Sequence, residues 1–357
     1  MAITELYVDP SINADSGTGT IGDPYGDLEY AIEKTDWDGT NGIRVNIKAG
    51  TDEIVLDGLE TAMSTLTAPK TVAWTPAYSG APLIFQGYTA AAGDGGKGQI
   101  DATNVAGCLF VTTTQSNIHF VDLIIAHDSG AGASGIIRVS SSSSYSSVIR
   151  CELYGNTAGP GIYLGTQSLA LGNYIHDCDV GINQTTGTSA YNIIYANTHA
   201  TPAYGIQSQS GGVVYRNIIH IKGAGNGIQV GVGAVTENSI YSAGGTGTGI
   251  QAYSSGTNSQ IDVVANNLIE GFSGVGGKAM DFSTGTGSGV KVLVGNSIYN
   301  CATALVAGDR PPIDTVTDSV GYETLTASPF VDAANLDFSP VDTGSVREGD
   351  LFYFWTI

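Results

Sequence analysis

One phrase recurs along most of this chain and constrains its fold more than any other feature. From about residue 115 it reads Asn, any residue, an aliphatic residue, and then, 8–13 positions after the Asn, Gly-Ile. The Asn position is held by Asp122, Cys151, Asn173, Asn192, Asn217, Asn238, Asn267 and Asn296, at spacings of 29, 22, 19, 25, 21, 29 and 29. Two places further on stand Ile124, Leu153, Ile175, Ile194, Ile219, Ile240, Ile269 and Ile298, aliphatic every time. The Gly-Ile half begins at Gly135, Gly161, Gly181, Gly205, Gly227 and Gly249, then weakens to Ala279-Met280 and Ala304-Leu305.

Within each phrase apolar and polar residues alternate, which is strand periodicity, and no helical spacing is sustained between phrases. A period near 22 residues leaves room for two or three short strands with their turns. If each period is one coil, equivalent residues stack about 4.8 Å apart and the aliphatic column becomes a continuous core. Asn suits the turn because it tolerates left-handed backbone angles, and stacked amides can bond from coil to coil. Gly permits the bend and close packing before the next strand. Parallel crossovers wind right-handed. The expected fold is therefore all-β: a right-handed, single-stranded parallel β-helix, a solenoid.

The ends read as caps, since open coil ends would otherwise pair with other chains. Residues 1–60 give an N-terminal cap and first coil, 61–308 the coils, and 309–357 a closing segment with an aromatic tail. In the cap, Leu6-Tyr7-Val8 reads as a strand, and Leu28 to Ile32 as one short helix with Asp27 as its N-cap. Strands return at Ile43–Ile47 and Ile54–Leu56.

The run Tyr7-Val8-Asp9-Pro10, then Gly19-Thr20, Asp23-Pro24-Tyr25, Leu28 and Ala31-Ile32, resembles the N-terminal capping segment of pectate-lyase-like right-handed β-helix proteins. Ile43 to Thr51 resembles their first coil, and Pro82 to Tyr88 the strand that follows. Ser328-Pro329-Phe330-Val331-Asp332, with Asp337-Phe338-Ser339-Pro340, is similar to their closing segment. The resemblance covers nearly the whole chain and speaks for fold. That superfamily holds lyases, hydrolases, epimerases, adhesins and phage spike or decoration proteins, so it does not choose an activity.

Charged residues make only 13% of the chain, against about 25% in ordinary domains. The net charge of −20 sits at the ends: residues 1–60 hold 13 acids and 3 bases, and 309–357 hold 9 acids and 2 bases. This surface repels nucleic acid and anionic membranes, so neither is an expected partner. No apolar run reaches 18 residues. The opening MAITELYVDPSIN has no basic n-region and no apolar h-region, so ordinary secretion is not expected of the chain as it stands. A removed signal, or release inside a virus particle, are the alternatives. Cys108, Cys151, Cys178 and Cys301 form no CxxC and read as buried free thiols.

Candidate chemistry gathers in the first coils at Asp122, His127, Asp128, Arg138, Arg150, Glu152, His176, Asp177 and Asp179. Stacking could bring the Asp122 and Glu152 carboxylates within ~5–10 Å, the spacing glycosidases use, and Arg150 could position an acidic sugar. Against this, His176-Asp177 stands where later coils carry Tyr195-Ala196 and His220-Ile221, as outer-face filler would. Asp122, Glu152, Arg150, His176 and Asp177 are thus the catalytic candidates if there is catalysis at all. No metal or cofactor is expected; calcium on Asp9, Asp15, Asp23 and Asp27 is the alternative, without an EF-hand spacing.

Two outer stripes remain. Tyr154, His176, Tyr195, His220, Tyr241, Glu270 and Tyr299 stand three places after the Asn column and suit packing, a subunit interface, or sugar rings. Gln207, Gln229 and Gln251 suit a structural amide ladder. The tail, with Phe352, Tyr353, Phe354 and Trp355, either covers the last coil or docks a partner. The first functional expectation is a virion surface scaffold: a capsid decoration protein or short fibre, homotrimeric, bound to a major capsid or tail protein. The alternatives are an extracellular polysaccharide lyase or hydrolase acting on surface glycans, and a carbohydrate-binding adhesin.

Overall fold

Aliphatic side chains at every second position can be buried only if neighbouring coils supply the other wall, and the chain winds accordingly. The computed structural model describes residues 2–12, 16–34, 41–50, 54–55, 70–71, 81–102, 110–112, 116–127, 135–139, 144–195, 204–253, 260–283, 289–308, 322–333 and 337–340. They form two compact units, Met1–Cys178 and Asp179–Ile357. Each is a stretch of right-handed parallel β-helix with three parallel sheets.

In the first unit, one sheet runs Ile3–Val8, Gly42–Lys48, Leu83–Tyr88, Ile118–Val121, Ser147–Ile149, Leu169–Leu171. The second runs Ile54–Val55, Gly98–Ala102, Leu123–His127, Glu152–Tyr154, Tyr174–His176, and the third Lys70–Thr71, Phe110–Thr112, Ile137–Val139, Pro160–Leu164. All these pairings are parallel. The second unit repeats the pattern, with Thr188–Ala190 opening its first sheet, Ile193–Tyr195 its second and Val180–Gln184 its third.

The inner columns are the ones that the repeat implies. In the second unit Ile194, Ile219, Ile240, Ile269 and Ile298 stack in register, each at most 2% exposed. Ile182, Ile206, Ile228 and Ile250 do the same in the third sheet. Each such burial is worth about 1.5–3 kcal/mol. Gly before the Ile is required by close approach: a Cβ on Gly227 would lie 2.5 Å from Cγ2 of Ile240.

Between the first and second sheets the chain turns through one residue of positive φ: Asp122 and Arg150 in the first unit, Tyr191, Arg216, Glu237 and Asn266 in the second. The Asn column follows immediately, and its amides bond from coil to coil. Asn192, Asn217, Asn238 and Asn267 each donate from Nδ2 to Oδ1 of the next, at 2.9–3.0 Å, ending on Asn296. All five are fully buried.

One register differs from the sequence expectation. Glu152 pairs with Ile124, so Asp122 lies beside Arg150 and not beside Cys151. The Asn column is filled there by Leu123, and Ile125, not Ile124, joins Leu153 in the core. The cause is that Asp122 itself takes the left-handed turn (φ 54°), a conformation Asp tolerates.

At the N-terminus Ile3–Val8 extends the first sheet, and the helix Leu28–Glu33 buries Leu28 and Ala31. Asp27 caps it, its Oδ1 accepting the Tyr30 amide at 3.3 Å. No helix among the described residues is long and apolar enough to cross a membrane.

Candidate active site

Strand alternation puts Leu153 and Ile175 inside, so Glu152, Tyr154, Tyr174 and His176 point out from the second sheet of the first unit. Their register makes two outer columns: Gln99, Ile124, Glu152, Tyr174, and Asp101, Ala126, Tyr154, His176. Tyr154 stacks on the His176 ring at 4.8 Å and 7°, and Tyr174 lies 4.8 Å from it on its own strand.

His176 is held between two carboxylates. Its Nδ1 lies 2.8 Å from Asp177 Oδ2. Since a carboxylate accepts, Nδ1–H donates and fixes the tautomer. Nε2 is buried, makes no hydrogen bond, and faces Glu152 Oε1 at 3.6 Å. The imidazole thus stands between two carboxylates, one hydrogen-bonded and one in ion-pair range.

Arg150 stands in the turn two residues before Glu152. It donates from Nε and Nη2 to the two Asp122 oxygens at 2.8 and 2.7 Å, the bidentate fork of arginine. Hydrogen bonding to Asp122 raises the Arg150 pKa further. The Asp122 side chain is 4% exposed and that of Arg150 57%. Gly172 occupies the next ridge position and leaves the guanidinium uncovered; even a Cβ there would come no nearer than 3.7 Å to Arg150 Cγ.

Of the five candidates, the fold thus joins Glu152, His176 and Asp177 in one cluster and locks Asp122 to Arg150. Asp122 and Glu152 are not a free carboxylate pair. Tyr174 stands outside the recurring stripe three places after the Asn column, although its place one after Asn173 marks it as outward, like Glu152. His127 is buried and Asp128 lies outside the described residues.

The second unit has an aromatic column of its own, Tyr195, His220, Tyr241, Glu270 and Tyr299. His220 lies 4.9 Å from both tyrosine rings beside it, and burial lowers its pKa to about 4. The closing segment crosses this face: Phe330 and Ala333 pack with Leu268, Ile218 and Tyr241, and Ser328 Oγ donates to Glu270 at 2.7 Å. Tyr241 is therefore a packing residue here. The glutamines do form a ladder, Asn183 to Gln207 to Gln229 to Gln251. Phe352, Tyr353, Phe354, Trp355, Cys108 and Asp15 lie outside the described residues.

Cys151 and Cys178 are buried free thiols, and burial pushes the Cys151 pKa up to about 12. Cys301 is a half-buried free thiol. The acids weighed for calcium have other partners: Asp9 holds Ser11 and Lys48, Asp23 the Thr18 amide, and Asp27 the helix. Among the described residues no group of three or more His, Cys, Asp or Glu is arranged to hold a metal ion.

Neither a protein-family model nor a curated protein matches the sequence. Among solved structures, one named rhamnogalacturonan lyase is similar with a TM-score of 0.55 and 13% identity, covering 98% of this chain and 97% of that one. A native GH136 lacto-N-biosidase from Eubacterium ramulus is similar at a TM-score of 0.46 and 13% identity over 84% of this chain, which spans 57% of that structure's length. The first likeness is one of fold alone, a right-handed parallel β-helix.

Proposed function

We propose that the chain is a polysaccharide-cleaving enzyme, and that it acts on uronate-containing glycans by β-elimination. The observation that carries this reading is the Glu152–His176–Asp177 cluster, with the exposed Arg150 in the turn that leads into the Glu152 strand. Elimination needs a counter-charge for the uronate carboxylate, a base for the proton at C5, and a proton for the leaving oxygen at C4. The outer edge of Arg150 suits the carboxylate, with Asp122 fixing the fork. Glu152 takes the C5 proton; its electron pair forms the C4–C5 double bond as the C4–O bond breaks. His176, oriented by Asp177, shares the proton with Glu152, and the Tyr154 or Tyr174 hydroxyl protonates the leaving oxygen. Their rings give the sugar an apolar platform.

Hydrolysis by paired carboxylates fits less well, because Asp122 is bound to Arg150 and Asp177 to His176. The fold neighbour named rhamnogalacturonan lyase supports the architecture as a host for such chemistry; the residues carry the assignment.

The test is turnover of rhamnogalacturonan, polygalacturonate, alginate and hyaluronan, read as ultraviolet absorbance of unsaturated ends and as new reducing ends. Both signals should rise together. Glu152→Gln should lower kcat by about 10²–10⁴, and Arg150→Ala should mainly raise KM. Reducing ends without absorbance would make the enzyme a hydrolase. No turnover, or an unaffected Glu152→Gln, would sink the reading.

One observation favours a second proposal. Ile84, Val121, Ile149, Leu169 and Leu171 lie half-exposed on the outer face of the first sheet in the first unit. Such a face suits a homotrimer docked on a capsid or tail protein as a virion scaffold. Solution mass and capsid binding test it.

A further inference from the structure

The turn between first and second sheets favours Gly or Asn, and in the second unit the later coils use Asn266 and Gly295 there. Three earlier coils do not. Tyr191, Arg216 and Glu237 occupy the same position in register, with φ of 56°, 51° and 57°. Large side chains in that conformation cost of order 1 kcal/mol or more each, and such cost gathers where a site requires the side chain.

What the three side chains build is an aromatic-and-ionic patch. Tyr191 is 46% exposed, and its ring meets Tyr215 edge-on at 5.6 Å. The Arg216 guanidinium lies 5.0 Å from the Tyr215 ring centre and 5.8 Å from that of Tyr191. Its Nε donates to Glu237 at 2.7 Å and its Nη1 to the Tyr191 hydroxyl at 3.2 Å. A rigid exposed ring therefore stands beside a cation and a carboxylate fixed at adjacent coils.

We propose that Tyr191, Tyr215, Arg216 and Glu237 form a glycan-binding subsite for one pyranose unit bearing vicinal hydroxyls. The apolar face of the sugar stacks on Tyr191. One hydroxyl donates to the Glu237 carboxylate and its neighbour accepts from the Arg216 guanidinium, so the pair reads the diol and the ring reads the sugar face. The subsite holds polymer and breaks no bond. It rests on the proposed function only for the class of partner, a polysaccharide.

The probes are rhamnogalacturonan and polygalacturonate cast into native gels, with retardation of the full chain as readout. Tyr191→Asn keeps a residue that tolerates the turn and removes the ring. It should weaken retardation at least tenfold, while Tyr191→Phe retains most of it. Turnover of short oligosaccharides should stay unchanged in both. Retardation by Tyr191→Asn equal to that of the parent, or no retardation by either polymer, overturns the subsite even if turnover is found. Tyr191-dependent retardation without turnover keeps the subsite and overturns the cleavage reading.

Discussion

Asn238 shows how much one side chain does in a stacked fold. Its Oδ1 accepts both the backbone amide and Nδ2 of Asn217, at 2.9 and 3.0 Å. Its Nδ2 donates to Val214 O, Thr236 O and Asn267 Oδ1, each at 3.0 Å. It is fully buried, so Asn238→Ala strands donors and acceptors on two neighbouring coils. At about 1–3 kcal/mol per unsatisfied buried group, the loss should be about 3 kcal/mol or more. Gln207→Ala, at a half-exposed position that gives up fewer bonds, should cost less, about 1 kcal/mol. Urea midpoints measure both, and equal costs would mean that the Asn ladder is not what pins the turn. The ladder is legible in the sequence because six Asn recur at one phase. The first coil is not, because Leu123 replaces the Asn and Asp122 is an equally acceptable turn residue. The phase error matters for chemistry: it makes Asp122 look like a partner for Glu152 when it is the counter-ion of Arg150.

The closing segment is the element whose docking the sequence leaves open. Ser328-Pro329-Phe330 reads as a terminator, but no spacing says which outer face it will cross. Phe330 chooses the second sheet because Leu268, Ile218 and Tyr241 offer it an apolar seat. The cost falls on Glu270, a residue 8% exposed, whose pKa burial raises despite the Ser328 hydrogen bond. A carboxyl with a raised folded pKa holds its proton more tightly in the folded state. Its contribution is full below the unfolded pKa and is lost as pH rises through the folded one. Amide protection at Phe330, corrected for intrinsic exchange, should therefore fall as pH rises through that window. Glu270→Gln should keep it flat, being neutral throughout. A mutant with the parent's pH dependence would show that another group governs the segment. The same contrast separates the two units' aromatic columns: around Tyr241 the stripe is a seat, while Tyr154 and His176 carry the candidate chemistry.

At the scale of the molecule, an acid-rich chain with a polyanionic substrate faces an unfavourable long-range field. The net charge is −20, and Arg150, the cation assigned to the uronate, is already matched by Asp122. Its bidentate fork acts at contact distance, where salt screens little, whereas the acids at the ends of the sequence act over the screening length. That length is about 30 Å at 0.01 M and about 10 Å at 0.1 M ionic strength. Adding salt across this range should therefore remove more repulsion than attraction. KM for a polyuronate should fall several-fold while kcat stays constant, since the Glu152–His176 proton pair is internal to the site. A methyl-esterified polyuronate, which keeps the acidic C5 proton but carries no charge, should show no such change. If KM instead rises with salt, Arg150 is drawing substrate from a distance, and the charge of the chain as a whole is not what the polymer meets on approach.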